Sequence, residues 1–195
     1  SAKLNHASLI DGVRLASAQS NASVTLFDHT QPELLLKDLQ EDTKALKLIV
    51  TDGVFSMDGY VAQLDRICDL ADQYDAMVMV DECHATGFIG KTGRGTPEHC
   101  GVHGKIDIIT GTLGKALGGA MGGFTTGKKE IIEMLRQRSR PYLFSNSLAP
   151  AIVGASIEVF NLLGKTTDLR DKVMNNAFYF REGMTEAGFD IKPGI

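Results

Sequence analysis

The chain has 195 residues, 43% of them hydrophobic, and a formal net charge of −4 at pH 7. A chain of this size can bury one hydrophobic core, or one core plus part of a second. The small negative charge argues against a nucleic-acid or anionic-membrane partner, and no apolar run is long enough to span a bilayer. The N-terminal residues also lack the pattern of a secretory signal peptide.

The cysteines indicate a reducing compartment. Cys68, Cys83 and Cys100 are odd in number and form no Cys-x-x-Cys pair, which favours free thiols over disulfides. The five histidines show no zinc-ligand spacing, so we expect no metal site. We therefore expect a cytoplasmic protein, or a mitochondrial one if the source is eukaryotic.

Hydrophobic periodicity and turn residues predict the elements in chain order. The first half is predicted to contain a helix over residues 9–15, a loop over 16–23, a strand over 24–27, a helix beginning near Pro32, a strand over 46–52, a helix over 64–74 and a strand over 76–81. The second half is predicted to contain a long loop over 82–100, strands over 106–110 and 122–126, a helix over 128–137, an interruption at 141–147, helices over 151–163 and 168–184, and a strand beginning at 188–191.

The alternation of strands and helices predicts an α/β fold. The predicted strands are apolar throughout, which is typical of a mostly parallel sheet covered by helices on both faces. In such sheets, ligands bind outside the carboxyl ends of the strands. Ser56, Asp81 and Lys115 all lie at or just after predicted strand ends, and we therefore expect them to share one site.

Lys115 lies in the glycine-rich stretch Thr110–Gly119. Glycines let a flat ligand approach the main chain closely, and a desolvated lysine amine becomes a nucleophile suited to Schiff-base chemistry. A surface lysine in an ordinary turn is the alternative. The sequence argues against a phosphate-binding P-loop, because Ala116 follows Lys115 and the motif's spacing is missing.

Two further side chains near the end of the 76–81 strand are candidates. A carboxylate such as Asp81 at the end of a buried strand needs a partner, and a protonated ring nitrogen is a suitable one. Asp81 could instead cap a following helix. His84 could bind a ring oxygen or be an ordinary histidine, and Ser56 could bind a ligand or brace its loop. His6 could stack on a cofactor ring.

Four segments in this order resemble fold-type I pyridoxal-phosphate enzymes and, within them, the α-oxoamine synthases. They are Leu4–Ser8 (LNHAS), Thr51–Gly59 (TDGVFSMDG), Asp81–Gly87 (DECHATG) and Thr112–Lys115 (TLGK). The resemblance implies a fold-type I large domain and pyridoxal 5′-phosphate (PLP) as the cofactor.

The resemblance also implies roles for individual residues. Lys115 would bind PLP covalently and later carry the substrate's α-proton. Asp81 would pair with the pyridinium nitrogen, His84 and Ser56 would bind the ring's phenolic oxygen, and His6 would stack on the ring. The cofactor phosphate would be bound by Thr112 and, from the partner subunit of a homodimer with shared sites, by Ser145 and Asn146.

The stretch Arg136–Leu148 (RQRSRPYLFSNSL) most resembles the family members that join glycine to acetyl-CoA, giving 2-amino-3-oxobutyrate and CoA. Physiological flux would run in reverse, as cleavage in threonine degradation. Sister synthases that make 5-aminolevulinate, 8-amino-7-oxononanoate or a sphingoid base are alternatives, as is a non-catalytic paralogue that keeps the fold.

The resemblance predicts that residues 1–160 form the central part of the PLP-binding large domain and that 161–195 begin a small domain. Family members carry further segments at both ends, including a C-terminal arginine for the substrate carboxylate. We therefore expect this sequence to be the central part of an enzyme.

Overall fold

The core of the fold is a four-stranded sheet, seen in a computed structural model that describes residues 1–41, 46–119, 121–192 and 194. The strands are β1 (Lys47–Asp52), β2 (Ala76–Asp81), β3 (Ile108–Thr112) and β4 (Gly123–Gly127). They lie in chain order, with β1, β2 and β3 parallel and β4 antiparallel to β3. The prediction of a mostly parallel α/β sheet is confirmed.

Helices connect and flank these strands. The described residues include α1 (Ala7–Gln19), α2 (Leu35–Glu41), α3 (Leu64–Gln73), α4 (Thr96–His99), α5 (Lys129–Arg138), α6 (Arg140–Phe144), α7 (Pro150–Leu163) and α8 (Asp168–Glu186). Two 3-10 turns span Pro32–Leu34 and Lys115–Leu117. The second turn carries the lysine singled out by the sequence.

The core lies between α3 and the parallel strands. Leu64, Ile67, Cys68 and Ala71 recur at helical spacing and are the buried residues of α3. They belong to one apolar cluster with strand residues such as Val78 and with residues of the preceding loops. Burial of this apolar stripe holds α3 against the sheet and fixes the end of β2, where Asp81 lies.

Two predicted strands are wrong. Of residues 24–27, only Phe27 forms a bridge, a single parallel one to Ala2. No strand occurs in the described residues 188–192 either. An apolar pattern becomes a strand only where a neighbouring strand can take its backbone hydrogen bonds.

Three predicted loops contain helix. Helix α1 continues through residues 16–19 because small residues are tolerated in a helix and neither glycine nor proline occurs among these four. Helix α4 lies within the predicted loop 82–100, and α6 overlaps the predicted interruption 141–147. Each has proline in its first turn, where the missing N–H has no intrahelical partner. Pro97 and Pro141 are therefore compatible with the starts of these helices.

Coverage of the sheet is uneven. The last four residues of β1 are buried, whereas β4 is mostly exposed. Helices α5, α6 and α7 contain no buried residue among those described, and α8 contains only Met174. The predicted boundary after residue 160 lies inside α7 and stays a prediction. Within the described residues, no helix has the length and apolar character needed to cross a membrane.

Candidate active site

Three polar residues form a row across the parallel strands, at the last residues of β1 and β2 and the middle of β3. Asp52 on β1 is the register partner of Asp81 on β2, and Asp81 is the partner of Thr110 on β3. Register partners on adjacent strands project from the same face of a sheet. The row therefore places Asp81 between a second carboxyl and a hydroxyl.

Lys115 lies in the hairpin that joins β3 to β4. Leu113 N–H donates to the Gly122 carbonyl at 2.9 Å and closes the base of this hairpin. Lys115 itself has φ +48°, a left-handed conformation that is uncommon for a residue with a side chain. The exposed residue is thus held in a strained backbone conformation, a feature that clusters at functional sites.

The lysine amine contacts His84. Lys115 Nζ lies 2.9 Å from His84 Nε2, although 31 residues separate them in sequence. Burial, and then the positive charge of Lys115, lower the pKa of His84 below its usual value. A neutral imidazole can accept a proton from the ammonium at Nε2, so the pair can hold and move a proton.

Asp81 is partly buried at the end of β2. Its Oδ1 accepts a hydrogen bond from Cys83 N–H at 2.9 Å. This bond spans two residues and braces a turn, and turn residues rather than a helix follow it, so Asp81 is not a helix cap. Asp81 also acts electrostatically on His84, so these two candidate residues belong to the same local charge cluster.

His6 is linked to this cluster by a main-chain hydrogen bond to Asp52, the neighbour of Asp81. Its N–H donates to Asp52 Oδ2 at 2.9 Å, and its Nδ1 lies 2.8 Å from Ser8 Oγ at the start of α1. The ring is exposed and acts electrostatically on His84. The structure therefore brings His6, Asp81, His84 and Lys115 together at one edge of the sheet.

Sequence reasoning missed Asp52 and Asn5. Asp52 is only 3% exposed, and burial together with the nearby Asp81 charge raises its pKa to about 7. Asn5 Oδ1 accepts from Asp52 N–H at 2.9 Å, while its Nδ2 donates to the Val50 carbonyl at 3.0 Å. The sequence did carry a signal for Asp52, because the strand predicted over 46–52 ends in an aspartate, as the strand predicted over 76–81 does.

Two other predicted site residues, Thr112 and Ser56, lie at the margins of the charged cluster. Thr112 Oγ1 donates to the Gly122 carbonyl and accepts from Gly114 N–H, both at 3.2 Å. Thr112 therefore braces the lysine hairpin, and it would have to redirect its hydroxyl hydrogen to bind a phosphate. Ser56 is exposed in the turn after β1.

Ser145 and Asn146 are exposed in the segment between α6 and α7. Ser145 is the C-cap of α6, and the N-cap of α7 is Ala149, which excludes a capping role for Ser145 at the following helix. A Cβ added to Gly122 would lie 2.6 Å from Leu148 Cδ2. The end of this segment thus packs on the lysine hairpin.

A second buried carboxyl anchors the loop that carries His84. Glu82 is 1% exposed, and its Oε2 accepts from Thr96 N–H at 2.8 Å while its Oε1 accepts from the Thr96 hydroxyl. A Cβ on either Gly53 or Gly95 would overlap a Glu82 oxygen. These glycines leave room for the carboxyl, which ties the start of the loop to α4.

A cavity of about 1030 Å³ lies away from this cluster. Its lining includes Ile109, Phe124 and Phe160 and none of the predicted site residues. Ile109 is adjacent to Thr110 and therefore projects from the opposite face of the sheet. The candidate chemistry is instead at the open edge where β1, β2 and β3 end.

The comparisons with known proteins agree with this arrangement. Residues 1–194 match the family described as aminotransferase class I and II. The chain belongs to this family.

Two curated relatives are similar to this chain over nearly its whole length. The chain is 58% identical over 188 residues to 2-amino-3-ketobutyrate coenzyme A ligase of Escherichia coli (strain K12), covering 96% of this chain and 47% of the relative. It is 48% identical over 190 residues to 8-amino-7-oxononanoate synthase of Thermoanaerobacter pseudethanolicus, covering 96% and 47%. The chain thus spans about half the length of these relatives.

Solved structures show the same fold. Sphingomonas wittichii serine palmitoyltransferase superposes with a TM-score of 0.89 at 34% identity, over 97% of this chain and 46% of that chain. A high-resolution structure of SPT with a PLP internal aldimine superposes with a TM-score of 0.88 at 36% identity, over 97% and 46%. The aminotransferase-family fold described above is therefore that of the fold-type I PLP enzymes.

Proposed function

We propose that this chain forms part of a PLP-dependent acyltransferase of the α-oxoamine synthase type. The observation that carries the proposal is the contact between Lys115 Nζ and His84 Nε2 at 2.9 Å, next to Asp81 at the strand end. An amine, a neutral imidazole and a carboxylate converge there. The solved SPT with a PLP internal aldimine supports PLP as the cofactor.

The residues present fit PLP by their chemistry. Asp81 offers the carboxylate that the ring nitrogen requires. Lys115 offers the amine that the aldehyde requires, and His84 offers a hydrogen-bond donor for the phenolic oxygen. Two buried polar atoms beside Asp81, Asp52 Oδ1 and Thr110 Oγ1, have no hydrogen-bond partner among the described residues. A polar group of a ligand, a water or a neighbouring carboxyl at this edge would satisfy them.

When bound, PLP draws electrons from the α-carbon of an amino acid attached through its amine. Asp81 would keep the ring nitrogen protonated, because a carboxylate stabilises an adjacent cation. His84 would orient the ring at its phenolic oxygen. Lys115 Nζ would take and return the α-proton, and the neutral His84 ring would receive the excess proton from the amine.

We infer that the substrates are glycine and acetyl-CoA, and that the products are 2-amino-3-oxobutyrate and CoA, with cleavage as the physiological direction. The 58% identity to the Escherichia coli ligase supports this choice over the sister synthases. The 48% identity to an 8-amino-7-oxononanoate synthase makes that activity the main rival. A bacterial protein of this kind would be cytoplasmic, and a eukaryotic one mitochondrial.

Two measurements on the full-length protein test this function. Borohydride reduction followed by peptide mapping should place the pyridoxyl group on Lys115, with Lys105 and Lys128 as unlabelled controls because each pairs with an aspartate. Competition assays should give the highest specificity constant for glycine with acetyl-CoA. Label on another lysine would overturn the site, whereas preference for succinyl-CoA or for alanine with a long-chain thioester would overturn only the substrate choice.

We also propose that the working unit is a homodimer with shared sites, in which Ser145 and Asn146 bind the phosphate of the partner's cofactor. Both side chains are exposed, and neither caps α7. The packing of Leu148 on Gly122 provides a rival, in which the segment serves the cofactor of its own chain.

Complementation separates the two arrangements. A full-length Lys115→Ala chain is mixed with a chain carrying Ser145→Ala and Asn146→Ala, after each is shown to be nearly inactive alone. Shared sites predict recovered activity, since one site of the heterodimer then has an intact lysine and an intact phosphate segment. No recovery despite demonstrated subunit exchange would assign the segment to its own chain.

A further inference from the structure

The row formed by Asp52, Asp81 and Thr110 suggests how Asp81 is held. A carboxylate that pairs with a ring nitrogen must point steadily at it, since charge-assisted hydrogen bonds are directional. Cys83 bonds the Asp81 carboxylate twice, through its N–H to Oδ1 at 2.9 Å and through its thiol. Its neighbours in the row, Asp52 and Thr110, are further groups that can fix its orientation.

Asp52 is built into this position from two sides. Its N–H is bound by Asn5 Oδ1, and its Oδ2 accepts from His6 N–H, both at 2.9 Å. Its other oxygen, Oδ1, is buried with no hydrogen-bond partner in the described part of the chain. A bare carboxylate oxygen is costly there, whereas a protonated Oδ1 would be a donor beside the carboxylate of Asp81.

We propose that Asp52 is a positioning residue that acts in its neutral form, donating from Oδ1 toward Asp81 and holding His6 through Oδ2. One side chain then orients two groups assigned to the cofactor, the partner of the ring nitrogen and the residue that stacks on the ring. This inference rests on the proposed function, since it assumes that Asp81 and His6 face PLP.

The surroundings of Asp52 favour the neutral form. Burial has the largest effect, and the negative charge of Asp81 on β2 acts in the same direction. The His6 N–H at the start of α1 and the positive charge of Lys115 after β3 oppose them and are outweighed. With Asp52 protonated, the pair of carboxyls carries one negative charge, which matches one pyridinium cation.

The test uses three variants of the full-length protein and measures PLP affinity and the pH dependence of the absorbance of the lysine-bound cofactor. Asp52→Ala should weaken PLP binding by about tenfold, the loss expected for one hydrogen bond to a charged group. Asp52→Asn should restore most of that affinity, because an amide also accepts from His6 N–H and donates toward Asp81. Its absorbance profile should lack the titration step that the wild type owes to Asp52.

Asp107→Asn is the matched control. Asp107 is also buried, but it lies at the opposite end of the strands, where it accepts from Val78 N–H at 2.7 Å and pairs with Lys128. Its substitution should leave the PLP affinity and the absorbance profile unchanged, even if stability falls. If the weaker PLP binding of Asp52→Ala came only from removing a buried carboxyl, Asp107→Asn would weaken PLP binding as well.

The outcomes distinguish this inference from the proposed function. If the wild type does not bind PLP at Lys115, both are overturned. If it does, and Asp52→Ala matches the wild type or Asp52→Asn is as weak as Asp52→Ala, only the role of neutral Asp52 is overturned. If Asp52→Ala fails to fold, the infrared difference spectrum of wild type minus Asp52→Asn tests the role of neutral Asp52. The spectrum should show the band of a protonated carboxyl, and Asp81→Asn should shift that band. Absence of the band would overturn the role of neutral Asp52.

Discussion

Replacement of Glu82 by glutamine should change how the stability of the chain depends on pH. The Glu82 carboxyl is buried at the start of the loop that carries His84, and it accepts two hydrogen bonds from Thr96. Glutamine has nearly the same shape and can still accept from Thr96 N–H, while its Nε2 can donate to the Thr96 hydroxyl. The substitution therefore removes mainly the ability to ionise.

The magnitude follows from the pKa of Glu82. Burial raises it from 4.5 to about 7, against the opposing effect of the Thr96 hydrogen bonds. Because one pKa unit corresponds to ~1.4 kcal/mol, this change is worth about 3 kcal/mol. The native state binds the proton more tightly than the unfolded state does, so stability is highest below pH 4.5, falls as pH rises toward 7, and then levels off.

Urea unfolding of wild type and Glu82→Gln between pH 4.5 and 8 measures this effect. The free energy of unfolding of the variant, relative to wild type, should rise by about 3 kcal/mol across this range. Asp52 titrates in both proteins and cancels in the difference. A difference that does not change with pH would refute the reasoning, because the Glu82 carboxyl would then ionise equally in the folded and unfolded states.

Glu98→Gln is the control with the opposite sign. Burial would raise the pKa of Glu98, but hydrogen bonds from Thr92 and Arg94 outweigh it and lower the pKa. The stability that Glu98 contributes is therefore present at neutral pH and lost as pH falls through its folded-state value. Relative to wild type, Glu98→Gln should lose stability at neutral pH and recover it in acid.

Three further substitutions test the candidate active site, strand β3 before Lys115, and the hydrophobic core. Asp81→Asn should reduce turnover more than PLP affinity, because an amide cannot keep the ring nitrogen protonated; near-normal turnover would make Asp81 structural. Gly111→Ala should destabilise by about 1–3 kcal/mol, since the new Cβ would lie 2.4 Å from Phe124 Cζ; an unchanged urea midpoint would contradict this. Leu64→Ala, at a fully buried position, should cost about 2–5 kcal/mol, against a few tenths for the exposed Leu169→Ala.

Local signals in the sequence determined most of the secondary structure. The apolar run at residues 76–81 predicted the observed bounds of β2, and the helix predicted over 64–74 agrees with α3 to within one residue. The failures at residues 24–27 and 188–191 have one cause. Strand formation needs a hydrogen-bonded neighbour, and a local pattern carries no information about whether one is present.

The sequence also identified the residue types and their places at strand ends. Asp81 and Lys115 follow apolar runs, and parallel strands direct their carboxyl ends to the same edge. This reasoning predicted that both residues share one site, but it gave no distance between them. The charge states within the cluster did not follow from the sequence, because they depend on burial and on which charges lie opposite one another.

Tertiary structure alone decided that Asp52 lies beside Asp81 and that His84 contacts Lys115. The first depends on the register between β1 and β2, and the second on a left-handed turn at Lys115 that brings its amine to the loop after β2. A shift of one residue in that register would move Asp52 to the other face of the sheet. Such non-local geometry is set by packing of the whole core, which is why the sequence predicted Asp81, His84 and Lys115 but neither their contacts nor the place of Asp52 among them.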